Sequence, residues 1–251
     1  MRLFRNLAGI VALATASLFA ASAFADAVNV AVAANFTDAA KEIGQAFKAK
    51  TGNEAVFSFG SSGQLYGQIS QGAPFQVFLS ADAVRPKKAV DEGFGVTGSN
   101  FTYAVGKLVL WSKKPGLVTG EDTLKNAGFN KISICDPKAA PYGQAAVETL
   151  QSLKLYDTLQ PKVVQGANIT QAYQFVDTGN AEVGFVALSQ LVGKSEGSQW
   201  VVPQDLYKPI KQDAVLLKKG ADSAAAKSFI DFLKGPEATA IIKKYGYEVG
   251  S

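Results

Sequence analysis

Two spacings of apolar residues alternate along this chain. Residues 28–33 form an apolar, β-branched run, which predicts a strand. Phe36, Ala40, Ile43 and Phe47 then recur at the spacing of one helical face, and Thr51-Gly52 closes that helix. Residues 55–59 predict a second strand. Leu65 and Ile69 mark a short helix that ends near Gly72, and residues 75–79 predict a third strand. The pattern then repeats. Strands are predicted at 103–111 and 131–135, a helix over about 141–153, a short extended piece at Val163 and Val164, a helix over about 170–178 and a strand at 182–188. The chain closes with a strand at 210–217, a helix over 224–233 stopped by Gly235, and a last helix opened by Pro236 that runs to about Tyr245.

Each β-α-β-α-β set predicts parallel strands joined by right-handed helical crossovers, so the fold class is α/β. Two such sets with a tail left over predict two lobes. The two final helices cannot bury their apolar faces alone, so the tail is expected to rejoin the first lobe. The expected division is 26–104 for the first part of lobe one, 105–206 for lobe two and 207–251 for the return. There are no repeats, low-complexity tracts or Gly/Ser linkers, and the connections are expected to be strands near 103 and 210.

The first 25 residues stand apart. Arg2 and Arg5 precede an alanine-rich apolar run from Leu7 to Ala21, and Ala23-Phe24-Ala25 places small residues before Asp26. That layout predicts a secretory signal peptide cleaved near Ala25-Asp26, since the run is shorter than a spanning helix needs. The mature chain is then exported and soluble. Cleavage removes two arginines and no acid, lowering the formal charge from +4 to +2. Such a balance gives no argument for a nucleic-acid partner. The 47% hydrophobic content suffices for a packed core. Cys135 is the single cysteine, so no internal disulfide forms, and its setting in a strand predicts a small buried hydrophobe. The chain has no histidine, which excludes Ser-His-Asp and Cys-His nucleophile pairs and the usual zinc sites.

Ligands of open α/β sheets bind where strand ends lead into helix N-termini, and exposed N–H groups there favour an anion. Four junctions have unusual composition: Ala33-Ala34-Asn35-Phe36-Thr37, Phe59-Gly60-Ser61-Ser62-Gly63-Gln64, Asp136-Pro137 through Ala140-Pro141-Tyr142-Gly143, and Gly166-Ala167-Asn168-Ile169-Thr170. Taken singly, each reads as well as a helix cap or a turn. Asn35 and Asn168 stand at natural N-cap positions, and Pro141 makes Tyr142 and Gly143 the first free donors of their helix. Together they place two junctions in each lobe, with no lysine or arginine beside the glycines and hydroxyls. A site of neutral donors suits a fully ionised, acceptor-only ligand.

At these residues the chain resembles the periplasmic molybdate-binding proteins of ABC importers, nearly end to end over the mature chain. The matching stretches are Val32-Ala33-Ala34-Asn35-Phe36, Ser58-Phe59-Gly60-Ser61-Ser62-Gly63, Gly72-Ala73-Pro74, Phe78-Leu79-Ser80-Ala81-Asp82, Pro141-Tyr142-Gly143, Val183-Gly184-Phe185-Val186, Leu233-Lys234-Gly235-Pro236 and Tyr245-Gly246-Tyr247. The resemblance implies a two-lobed type II periplasmic-binding-protein fold. Each lobe would be a mixed, mostly parallel sheet flanked by helices, hinged by strands and closing over a tetrahedral oxyanion. It implies a monomer without cofactor that delivers molybdate or tungstate to a membrane permease. It puts Asn35 and Ser62 on the anion from lobe one, and the backbone N–H groups of Tyr142 and Ile169 on it from lobe two. Two departures stand out. Asn35 replaces the serine of many members, with a side-chain donor of its own. Ala187 stands where many members carry a tyrosine hydroxyl, so that contact is expected to be missing.

Three other readings compete. Sulfate is also an acceptor-only dianion, separated from molybdate by size. Protonated phosphate wants a carboxylate acceptor, and Asp38 and Asp136 are better placed for helix-terminus roles. An enzyme would need Ser62 or Cys135 as nucleophile without a histidine base, and a ferric carrier would need tyrosine or carboxylate clusters where Tyr142 stands alone.

Overall fold

The computed structural model describes residues 26–249. The signal peptide expected over residues 1–25 lies outside them. Among the described residues, no helix is long and apolar enough to cross a membrane.

Each lobe is built on one five-stranded sheet. The first contains β1 (Ala27–Ala33), β2 (Glu54–Gly60), β3 (Val77–Leu79), β4 (Phe101–Gly106) and β10 (Ile210–Leu216), in the order β2-β1-β3-β10-β4. The second contains β5 (Leu108–Ser112), β6 (Ile132–Cys135), β7 (Val163–Gly166), β8 (Val183–Ala187) and β9 (Ser198–Val201), in the order β7-β6-β8-β5-β9. Both follow one plan. In each, three successive strands pair in parallel in the order second, first, third. A fourth strand, β10 or β5, then adds antiparallel to the third. The expected α/β class and two-lobed type II architecture are what the sheets show.

Helices α1 (Thr37–Thr51), α2 (Ser62–Ser70), α3 (Val84–Asp91), α8 (Ala224–Lys234) and α9 (Pro236–Lys244) cover the first sheet. Helices α4 (Asp122–Asn126), α5 (Pro141–Ser152), α6 (Tyr156–Leu159) and α7 (Ile169–Asp177) accompany the second. In the tail, Phe229 of α8 meets Phe47 of α1, ring centroids 5.3 Å apart. The apolar pattern did not mark α3, α4, α6 or β9, which are short or strongly polar.

The run at 103–111, read as one strand, is two. β4 ends at Gly106 and β5 starts at Leu108, so the chain passes between the sheets at Lys107. Residues 105 and 106 therefore still pair with β10 in the first sheet. The return crossing lies between β9 and β10. Gly106 permits a close approach here, because a Cβ at this position would stand 2.0 Å from the Tyr142 hydroxyl. Cys135 is fully buried at the end of β6, and burial pushes its thiol up to about 12.

Candidate oxyanion site

The four expected junctions converge. A small cavity between the lobes is lined by Ala34 and Asn35, by Ser61 and Ser62, by Pro141 and Tyr142, and by Asn168 and Ile169. Its volume is only about 10 Å³, far below the roughly 300–1,000 Å³ of sites for drug-sized organic ligands. No charged side chain lines it.

Local structure explains how each junction offers its donors. Ala34–Phe36 form a single 3-10 turn between β1 and α1. Asn35 is not the cap expected from its position, because no side-chain capping bond forms there and Phe36 precedes the first residue of α1. The turn carries Asn35 inward instead, to 4% exposure. Ser61, not Ser62, caps α2: its Oγ accepts from the Gln64 N–H, and Gln64 Oε1 accepts from the Ser61 N–H, both at 3.4 Å. That frees Ser62, whose Oγ accepts the Ala81 N–H at 2.9 Å and keeps its own proton to donate. Pro141 opens α5 without an N–H, and the Gly143 N–H turns back to Ala140 O, so Tyr142 carries the unengaged donor. Asn168 does cap α7, accepting from the Gln171 N–H at 3.0 Å, and Ile169 follows as its first residue. Among the described residues, nothing accepts from the backbone N–H groups of Asn35, Ser62, Tyr142 or Ile169.

The lobes are shut over this cavity by direct contacts. On one rim the Gly63 N–H donates to Ala139 O at 2.8 Å, and Arg85, paired with Asp82, reaches Lys138 O at 3.0 Å. On the other rim Ser189 Oγ donates to Asn35 O at 2.8 Å.

Behind Asn35 lies a buried polar network that sequence reasoning missed. Asn35 Nδ2 donates to Gln212 Oε1 at 2.8 Å and to the Tyr247 hydroxyl at 2.9 Å. The asparagine's side-chain donor, expected on the anion, is thus engaged with protein in this structure. Tyr247 stands 2.9 Å from Ser189 Oγ and 2.8 Å from Asn35 O. Tyr103 donates to Ser80 O at 3.1 Å and lies 3.3 Å from Gln212 Oε1. Burial holds the hydroxyls of Tyr103, Tyr142 and Tyr247 protonated, well above the usual tyrosine range. A sequence signal existed: Gln212 and Asp213 follow Lys211 as a polar stretch inside the strand Ile210–Leu216. Ala187 is buried at the end of β8 and is not among the cavity-lining residues.

Known proteins share both the sequence and the fold. A model of the bacterial extracellular solute-binding protein family matches residues 28–248. The molybdate-binding protein ModA of Rhodobacter capsulatus is 61% identical over 240 residues, covering 96% of this chain and 95% of that protein. ModA of Azotobacter vinelandii is 54% identical over 246 residues, covering 96% and 98%. The solved periplasmic molybdate-binding protein of Azotobacter vinelandii superposes with a TM-score of 0.87 at 43% identity, over 89% of this chain and all of that one. The chain therefore belongs to the bacterial extracellular solute-binding proteins, among the ModA molybdate-binding proteins.

Proposed function

We propose that the exported chain captures molybdate or tungstate between its lobes and hands it to the membrane permease of an ABC importer. The observation that carries this is the convergence of four unengaged N–H groups and the Ser62 hydroxyl on one small cavity without a charged side chain. Donors alone suit a dianion that only accepts, and α2, α5 and α7 aim their N-termini at it. The relatives' names as molybdate-binding proteins support the choice of anion. The solved Azotobacter vinelandii relative is a periplasmic protein, which supports a periplasmic place of work for this chain.

Chemistry at the site is binding without turnover. Ser62 Oγ has the Ala81 N–H as its hydrogen-bond partner and no base beside it, and burial keeps the Cys135 thiol neutral. Monohydrogen phosphate would set its O–H against a fixed donor, leaving a buried polar group unpaired at a cost of several kcal/mol. Sulfate presents only acceptors too and is the smaller ion, so discrimination against it must come from the spacing of the donors. Calorimetric titration of the mature protein tests the order: molybdate and tungstate bind about equally, sulfate much more weakly and phosphate not detectably. Sulfate binding as tightly as molybdate would replace this reading with a sulfate carrier.

A further inference from the structure

Gly106 is the last residue of β4, one step before the chain crosses to the second lobe at Lys107. Its backbone does not call for glycine: it pairs with Ile210 in the sheet, and its φ lies outside the left-handed region. Space does call for it. A Cβ here would stand 2.0 Å from Tyr142 Oη and 2.9 Å from Cζ of the same ring, with Gln212 Nε2 at 2.8 Å. A glycine inside a strand often marks such a close approach. The approaching group comes from the other lobe. Tyr142 is the second residue of α5, and its side chain is buried, at 2% exposure. Its hydroxyl has no hydrogen-bond partner there, so fit of shape holds the ring against Gly106.

The ring cannot withdraw within its own lobe. The next residue, Gly143, seats the start of α5 on β6, since a Cβ on Gly143 would stand 2.1 Å from Cys135 O. Bulk added at position 106 must therefore be relieved by lobe two moving as a body. Ordinary contact between such atoms is about 3.5 Å, so the lobes would stand about 1.5 Å further apart at this point. Tyr142 also lines the anion cavity, and its backbone N–H is unengaged. Wedge and donor belong to one residue, so a shift of the ring carries the donor with it. A hydrogen bond near 2.9 Å does not survive a lengthening of that size. We infer that Gly106 is the closure stop of the cleft: the seat it leaves for the Tyr142 ring lets lobe two advance until its main-chain donors reach the oxyanion. This rests on the oxyanion reading of the cavity. Gly106 is a positioning residue and does not itself line the cavity.

The test is a double-mutant cycle, read by calorimetric titration with molybdate and by the Tm of each anion-free protein. Tyr142→Phe keeps the ring and the backbone N–H, so its affinity stays within about threefold of wild type. Gly106→Ala weakens binding at least tenfold, the loss of about one charge-assisted hydrogen bond. Its anion-free Tm stays close to wild type, because opening the lobes relieves the contact. The double variant lacks the worst contact and regains at least threefold over Gly106→Ala, whereas residues that do not meet would give additive changes. Gly106→Ala affinity within threefold of wild type, or no recovery in the double variant, overturns the closure stop. So does a Gly106→Ala protein that fails to fold or melts well below wild type without anion, since Gly106 would then serve the packing of the fold and not closure. A wild type that does not bind molybdate rejects the oxyanion reading instead.

Discussion

The two lobes share one sheet plan and meet the anion cavity differently. Lobe one brings a side-chain hydroxyl, Ser62, along with the N–H groups of Asn35 and Ser62. Lobe two brings the main-chain donors of Tyr142 and Ile169, at the first turns of α5 and α7. The difference lies in what can vary. A side-chain donor such as the Ser62 hydroxyl can be exchanged by a single substitution. A main-chain donor is fixed by the helix start, and a sequence controls it only through the cap, Asn168, or through a proline before it, Pro141. On the proposed reading, lobe one can tune the site, whereas lobe two supplies a fixed main-chain face.

The strongest way to break this comparison is to remove a main-chain donor from lobe two. Ile169→Pro does so with little backbone strain. Ile169 is the first residue of α7, where proline is accepted, and Asn168 before it is extended at φ −152, ψ 175, as a residue before proline must be. The loss of one charge-assisted hydrogen bond, with an anion oxygen left buried and unpaired, should weaken molybdate binding roughly a hundredfold. The buried Ile169 side chain is also trimmed, so a lower Tm is expected in the anion-free protein. Calorimetry in a folded variant decides it, and an affinity within about threefold of wild type would remove Ile169 from the site.

The next largest effect is expected from lobe one. Ser62→Ala deletes a hydroxyl that bonds in both directions. Loss of its donation to a dianion removes about 1.5–3 kcal/mol, a ten- to hundredfold drop in affinity. The Ala81 N–H is left without its partner, so stability falls too. A folded Ser62→Ala protein with wild-type affinity would make Ser62 a turn residue only and leave lobe one with main-chain donors alone.

Closure should be separable from donation. A Cβ on Gly63 would lie 3.0 Å from both Cα and O of Ala139 across the cleft. Gly63→Ala therefore crowds the closed form and leaves each lobe's own donors intact. Stopped-flow measurement should show dissociation accelerated by about tenfold with little change in association, since the open form meets the anion first. An equal slowing of association would mean that this rim does more than latch.

Much of this could be read along the chain because both signals are local. Strand-to-helix junctions show as an apolar run ending in small or capping residues, and all four border one cavity. Hidden from that reading were facts of three-dimensional packing. The break at Lys107 lies between two apolar segments that read together as one strand, since only their sheet partners differ. Asn35 looked like a cap because caps are judged by position, whereas the 3-10 turn displaced the helix start by one residue. Gln212, Ser189 and Tyr103 come from three distant segments and could not be assembled from spacing. Their polarity inside apolar strands and strand ends was the available clue.

The smallest expected effect concerns pH, where the two halves of the site should behave alike. No charged side chain lines the cavity, the chain has no histidine, and the tyrosines behind Asn35 are held protonated. Molybdate affinity should be flat from about pH 6 to about pH 8, the range in which ordinary histidines and amines would titrate. Folding stability should not be flat at higher pH, and the sign follows from burial. The Cys135 thiol sits near 12 in the folded chain against about 8.5 when unfolded. The buried tyrosines are likewise raised from their ordinary value near 10. Above the unfolded values the folded chain retains more protons than the unfolded one, so stability is complete below about pH 8.5 and is lost progressively as pH climbs toward the folded values. Denaturant melts from pH 7 to pH 11, run beside titrations at the lower pH values, would separate the two. An affinity that changes tenfold between pH 6 and pH 8 would place a titrating group on the anion, and neither half of the site as described contains one.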